Sequence, residues 1–144
     1  MISQTVEYAL RAMVILARHD ALLRSSRDIA RAIDVPSPYL AKVMQGLVRA
    51  GLLRSRRGVN GGFTITKDPA ELTVWDVVQA VDPIQRIRRC PLNLDAHSGQ
   101  LCPLHRRLDE ALEGVETIFQ ETTLAELVAH EGRTSPLCAT GQRS

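Results

Sequence analysis

Apolar residues return every three or four positions at Val6, Ala9, Leu10, Met13 and Leu16/Ala17. That spacing predicts an amphipathic helix from Thr5 to His19. Ser25, with Asp28 three residues on, reads as a capping pair just before Ile29, Ala30 and Ile33, so a second helix starts there. It must be short, because Val35-Pro36-Ser37-Pro38 cannot continue a helix. Ser37 is then expected to cap a third helix, with Pro38 at its first position, where a missing N–H costs nothing. Leu40, Val43, Met44, Leu47 and Val48 give that helix its apolar side, and Gly51 ends it. Two short helices joined by a tight turn describe a helix-turn-helix.

The period then drops to two. Leu52–Ser55 and Gly62–Thr66 predict short strands, and Asn60-Gly61 between them is a hairpin signal, because both residues tolerate positive φ. A hairpin carrying Arg54, Arg56 and Arg57 directly after a helix-turn-helix is a wing. Thr73 with Asp76 opens another helix, Val74 to Val81, in which Trp75 is expected to pack in the core. From Asp82 to Leu101 periodicity is lost, and a loop that long in a small protein is usually functional or disordered. Pro103 starts a long helix with Leu104, Leu108, Leu112, Val115 and Ile118/Phe119 in one stripe. Such a helix packs inside the domain or against its twin in a dimer. Thr123 and Glu126 cap a last short helix, and the segment after Gly132 lacks any packing pattern and is expected to be mobile.

Composition narrows the class. The chain has 144 residues, 44% hydrophobic and 24% charged, which suits one folded domain, or a small domain with an extension, rather than a disordered polymer. Its longest apolar stretch, near Ala12–Ala17, is too short to cross a bilayer, and the opening MISQTVEYALR has no secretory pattern. These features point to a cytoplasmic protein with no membrane partner. Three cysteines (Cys90, Cys102 and Cys138) make a disulfide framework improbable there and leave thiols free as ligands or redox groups. The net charge of +2 hides an asymmetry. Residues 1–67 hold eleven Lys/Arg against four Asp/Glu, whereas residues 68–144 hold seven against twelve. A basic half of this kind suits a polyanion.

Motifs of nucleotide-dependent and hydrolytic enzymes are absent: no Walker loop, no GxGxxG after a strand, no GxSxG and no HExxH. The nucleic-acid reading has a mechanism. The third helix would enter the major groove of double-stranded DNA with Ser37, Pro38 and Tyr39 near phosphates and base edges. Lys42 and Gln45 follow one turn along, and Gln45 is suited to bond adenine bidentately. Arg54, Arg56 and Arg57, with the wing tip Asn60-Gly61, would meet the minor groove or its phosphates. One monomer makes few contacts, so a homodimer on a palindromic operator is expected.

The segments TVEYALRAMVILA, IARAIDVPSPYLAKVMQGLVRAGLLRSRRGVNGGF, LTVWDVVQAVD and CPLHRRLDEAL closely resemble the Rrf-two family of winged-helix transcription regulators. The resemblance covers residues 1–130 and is most specific from Pro36 to Phe63. It implies a mainly α fold with a small β-hairpin wing, in a homodimeric regulator for which repression is the expected direction. The division implied is a winged helix-turn-helix over 1–82 and a sensor loop over 83–102. A dimerisation helix with a short terminal helix would follow over 103–131, then a flexible tail over 132–144.

Many members carry a [2Fe–2S] or [4Fe–4S] cluster on a Cys-x5-Cys-x5-Cys loop, while others respond to thiol oxidation or to metabolites. Here Cys90 and Cys102 keep the outer separation, but Ala96 stands at the middle position, beside His97. His105 lies three residues after Cys102, and Glu7 stands where a similar nitric-oxide sensor places an acidic ligand that crosses the dimer. Cys90, Cys102, Glu7 and His97 are therefore the candidate metal ligands. A cluster with mixed ligation and a cluster-free sensor both stay open. A winged-helix adaptor that binds protein instead of DNA is the remaining alternative.

Overall fold

The computed structural model describes residues 2–18, 24–91 and 99–130. Among the described residues, six helices and one hairpin follow in the order α1 (Gln4–Arg18), α2 (Ser26–Ile33), α3 (Ser37–Arg49), β1 (Leu53–Arg56), β2 (Gly62–Ile65), α4 (Val74–Val81), α5 (Pro103–Glu121) and α6 (Leu124–Ala129). The expected tail, with Cys138, lies outside the described residues, as do His19 and His97. No described helix is long and apolar enough to cross a membrane.

α1 is the hub. Ala9, Ala12 and Met13 are fully buried and meet Ile29 of α2, Leu40, Met44 and Leu47 of α3, Val77 of α4 and Leu124 of α6 in one cluster. The alanines let neighbouring helices approach closely, and Met13 fills the space left between them. No polar or charged side chain is buried among the described residues, so this core is held by apolar burial alone.

The ends of the elements follow local chemistry. Ser25 caps α2, its Oγ accepting from the Asp28 N–H at 3.1 Å. α2 stops one residue earlier than the prolines demand, at Asp34, whose φ of 56° is left-handed, and Val35 N–H then bonds back to Ala30 O at 3.0 Å. Aspartate tolerates that region better than most residues. The expectation for α3 is corrected: Pro36 occupies the N-cap, Ser37 is already helical, and no side chain caps this end. Proline offers no side-chain acceptor, and Pro38, the second residue of the helix, lacks an N–H that would need one. At the other end, Gly51 (φ 79°) donates to Val48 O at 2.9 Å and Leu52 donates to Leu47 O at 3.0 Å. That pair of bonds is the glycine-terminated Schellman ending.

β1 and β2 pair antiparallel, with Leu53 opposite Ile65 and Arg56 opposite Gly62. The turn is not the two-residue Asn60-Gly61 type. Positive φ falls on Gly58 (103°) and Asn60 (66°), and residues 57–61 make a longer loop. Gly61 is required for space rather than for φ, since a Cβ there would lie 2.2 Å from Arg56 O. The wing is also pinned to the body, because Arg24 and Phe63 exchange backbone hydrogen bonds of 3.3 and 2.8 Å. A Cβ on Gly62 would approach the Arg24 carbonyl to 2.4 Å. Gly62→Ala is accordingly expected to destabilise the protein by roughly 1–3 kcal/mol in urea unfolding and to expose the Arg24 and Phe63 amides to hydrogen exchange.

Thr73–Asp76 and Thr123–Glu126 both form complete capping boxes. The two caps are joined, Val74 N–H donating to Thr122 O at 2.9 Å and Leu124 N–H to Leu72 O at 2.8 Å. This brings α4 and α6 together at one end of α5. Trp75, expected in the core, is only half-buried and belongs to neither buried cluster, because the helix turns Val74, Val77 and Val78 inward instead.

The stripe read on α5 is split. Phe119 turns in against a small second cluster of Val6, Val74 and Val78. No residue of α5 is fully buried, and Leu104, Leu108 and Ile118 are 64%, 46% and 62% exposed.

Candidate nucleic-acid interface and cysteine corner

α3 turns Leu40, Val43, Met44 and Leu47 into the core, and that fixes what faces outward. Ser37, Pro38, Lys42, Gln45 and Arg49 are all exposed, spaced to share the outer side of the helix. Arg49 was absent from the sequence-derived set. Its signal was present, since Arg49 lies two turns beyond Lys42 and one turn beyond Gln45. On the wing, Leu53 is buried while Arg54, Ser55 and Arg56 are exposed, and Arg57, Gly58, Val59 and Asn60 form the exposed tip.

Between these surfaces lies an open cleft of about 560 Å³. Gln45 and Arg49 of α3, Arg56 and Arg57 of the wing, and Ser25 and Ser26 at the start of α2 line it. Lys42, Arg49, Arg54, Arg56 and Arg57 have no carboxylate partner among the described residues. Three of these cations, Arg49, Arg56 and Arg57, line the groove, with Lys42 and Arg54 on the same two elements and the positive end of a helix dipole on the rim, a surface with an unmet demand for anions.

Tyr39 is placed differently from its neighbours on α3. Its hydroxyl is hydrogen-bonded to Thr5 Oγ1 of α1, and its ring meets Tyr8 edge-on, with centroids 5.4 Å apart and planes at 86°. Glu7, on the same helix, pairs with Arg11 of its own chain at 3.0 Å and is brought to neither cysteine.

After α4, the segment from Ile84 to Cys90 is a strap laid antiparallel along α5. Gln79 Nε2 donates to Ile84 O at 3.1 Å, and Ile84 packs on the same cluster as Phe119. Arg86 grips Asp109 with two bonds of 2.7 and 2.8 Å, and Ile87 N–H adds a third to the same carboxylate at 2.9 Å. Glu113 and Glu116 stand 3.6 Å from Arg86. At the far end, Cys90 reaches His105. From Ile84 to Cys90 an extended chain spans about 20 Å, and from Phe119 back to His105 a helix spans about 21 Å, so the strap matches its track. The Arg86 hydrogen bonds hold the Asp109 carboxyl below the usual carboxylate range, and the same contact raises the guanidinium further above its own. A lowered carboxylate value means the clasp is intact above the ordinary range and is lost only as pH falls through the Asp109 value.

Cys102 is the N-cap of α5. Its Sγ accepts from the His105 N–H at 3.5 Å and lies 3.1 Å from His105 Nδ1, while Cys90 Sγ lies 3.9 Å from the same nitrogen. The two thiols, twelve residues apart in sequence, are thus gathered at one imidazole. His105 is the third member of this corner within one chain, whereas the approach expected of Glu7 is from the other subunit.

Thiols and imidazole suit iron in kind. The arrangement does not supply a complete donor set: among the described residues, no group of three or more His, Cys, Asp or Glu is disposed to hold a metal ion. Ala96 replaces a thiol at the middle position, and Glu7 is engaged by Arg11.

Residues 2–130 match the family described as Rrf2, iron-dependent transcriptional regulator. The chain is 31% identical over 129 residues to a protein of Aquifex aeolicus (strain VF5) described as an HTH-type transcriptional regulator, covering 88% of this chain and 90% of that one. It is also 31% identical over 128 residues to the HTH-type transcriptional regulator NsrR of Geobacillus kaustophilus (strain HTA426), with 85% of each chain covered. Among solved structures, the fold resembles CymR (YrzC), the global cysteine regulator of B. subtilis. The TM-score is 0.76 at 24% identity, covering 92% of this chain and 98% of that one. With a winged helix-turn-helix fold and a family match that spans every described residue, the chain belongs to the Rrf2 family and is a transcriptional regulator, not an enzyme.

Proposed function

We propose that this protein is a homodimeric, sequence-specific DNA-binding regulator whose operator contact is governed by the state of the Cys90–Cys102–His105 corner. The observation that carries the DNA reading is the cleft between α3 and the wing, lined by arginines that no carboxylate among the described residues neutralises. Phosphates would sit against Arg49, Arg54, Arg56, Arg57 and the serines that start α2, while Ser37, Pro38, Lys42 and Gln45 face base edges. Asn60 and Gly61 shape the wing tip for the adjacent minor groove. Residues 1–82 are the reader, the strap and loop over 83–102 the sensing element, and residues 103–131 the dimer element.

Dimerisation is supported by α5. Leu104, Leu108, Ala111, Val115 and Ile118 recur at alternating spacings of four and three, the seam of a two-helix coiled coil, and none is fully buried within one chain.

For the corner, a thiol pair is the reading the residues favour, since Ala96 removes the middle cysteine and Glu7 is already paired. A peroxide would oxidise one thiolate to a sulfenic acid, releasing water or an alcohol. The second thiol would then displace water and close a Cys90–Cys102 disulfide. His105 Nδ1, in reach of both sulfurs, is placed to take the thiol proton.

Anisotropy with a labelled duplex from upstream of the protein's own gene tests both parts. Wild-type protein should bind with a steep negative salt slope. Peroxide should change that affinity in the wild type and leave Cys90→Ser and Cys102→Ser unaffected. A peroxide-insensitive wild type would refute thiol control. Visible charge-transfer absorption from anaerobically purified protein, lost in Cys90→Ser, would replace the thiol reading by a cluster with Cys90 among its ligands. His97, beside Ala96 in the sequence, is the candidate for a further ligand to such a cluster.

A further inference from the structure

We propose that Tyr39 is a positioning residue that sets the pitch of α3 against α1, and that its partner in this role is Thr5. The inference rests on the DNA reading above. The apolar contact between the two helices, through Met13, Leu40 and Met44, is non-directional and would tolerate small rotations of α3. The first turn of α3 is the part with least to hold it: Pro36 stands at the N-cap, no side chain caps the end, and Ser37 and Pro38 are exposed.

Directional contacts at that end come from α1. The Tyr39 hydroxyl pairs with Thr5 Oγ1, and the Tyr39 ring stands perpendicular to Tyr8 at 5.4 Å. Tyr8 is fixed in turn, because its hydroxyl accepts from Gln4 Nε2 at 2.6 Å. Tyr8 and Tyr39 are the chain's two tyrosines, and both serve this one joint. The geometry fixes two independent things: the edge-on rings set the distance between the helix ends, and the hydroxyl pair sets the rotation. A hydroxyl that accepts from Thr5 would still keep its own proton for a phosphate, so position alone does not separate a positioning role from a phosphate contact.

Thr5→Val, Tyr39→Phe and the double variant separate them, measured with the same duplex at several KCl concentrations and by urea unfolding. Each single change should weaken operator binding by about three- to tenfold with the salt slope unchanged. The double variant should be no worse than the worse single, because either change alone breaks the shared bond. Thr5→Val binding like wild type, while Tyr39→Phe lowers the slope by about one, would identify a phosphate contact and overturn the proposal. Additive losses in the double variant would overturn it too. Wild-type protein that binds no duplex would refute the DNA reading instead. The urea cycle would then still decide the tie, with losses smaller than the sum supporting it and additive losses refuting it.

Discussion

Leu108→Asp combined with Ile118→Asp is expected to leave a monomer that no longer holds operator DNA. Both side chains lie on the open face of α5, so the change creates no buried charge within one chain. Across a two-fold axis the same positions would put carboxylates into the seam from both helices, where unpaired buried charge costs several kcal/mol. Splitting the dimer turns one bivalent contact into two independent weak ones, and operator affinity should fall by roughly 10²–10⁴-fold. Sedimentation would report the mass and anisotropy the binding, while circular dichroism should retain the helical signal of residues 4–81. A double variant that sediments as a dimer would place the interface elsewhere.

The second large effect is expected from Arg49→Ala, Arg56→Ala and Arg57→Ala made together. These three cations line one cleft and have no carboxylate partner among the described residues, so removing them orphans none of the described carboxylates and should not disturb the fold. If each neutralises one phosphate per protomer, the salt slope should flatten by about three per bound protomer, with operator and random DNA weakened alike. Gln45→Ala should behave in the opposite way. Its slope should stay unchanged while preference at one base pair relaxes, by about 1–3 kcal/mol. A triple variant that loses preference yet keeps its slope would exchange the roles assigned to helix and wing.

The elements most legible in the sequence were those specified locally. Ser25, Thr73 and Thr123 each cap the helix they precede, as their three-residue spacing to an acidic partner indicates. The apolar rhythm of α3 named its four buried residues, whereas that of α1 missed Ala12 and Val14, which the crowding of several helices around α1 also buries. Ser37 was misplaced by one position, because two prolines offer two compatible helix starts and only packing chooses between them. Asn60-Gly61 suggested a two-residue turn, whereas Gly58, two positions earlier, takes up the left-handed geometry of a longer loop. Trp75 and Phe119 went astray for a shared reason. An apolar stripe tells that a helix has an inner side, but which flank touches the neighbour depends on where that neighbour lies. In the candidate site, the wing arginines and Gln45 could be read from order and chemistry. The strap could not, since Arg86 and Asp109 are twenty-three residues apart and follow no period. His105 stood in plain view beside Cys102, but only the folded strap brings Cys90 to it.

That strap has a thermodynamic consequence for any bond made at its end. A disulfide ordinarily stabilises a protein by removing loop-closure entropy from the unfolded chain, and its gain or loss shifts the melting temperature. A Cys90–Cys102 bond would close a loop of about a dozen residues, worth roughly 3 kcal/mol through the unfolded chain. Cys90 is already delivered to its place by the Arg86 clasp, and Cys102 is anchored as the first residue before a helix, so little native strain would offset that gain. Oxidation would then raise the melting temperature together with any change in DNA affinity, and the cell's redox poise would set both how the regulator meets its operator and how much of it survives.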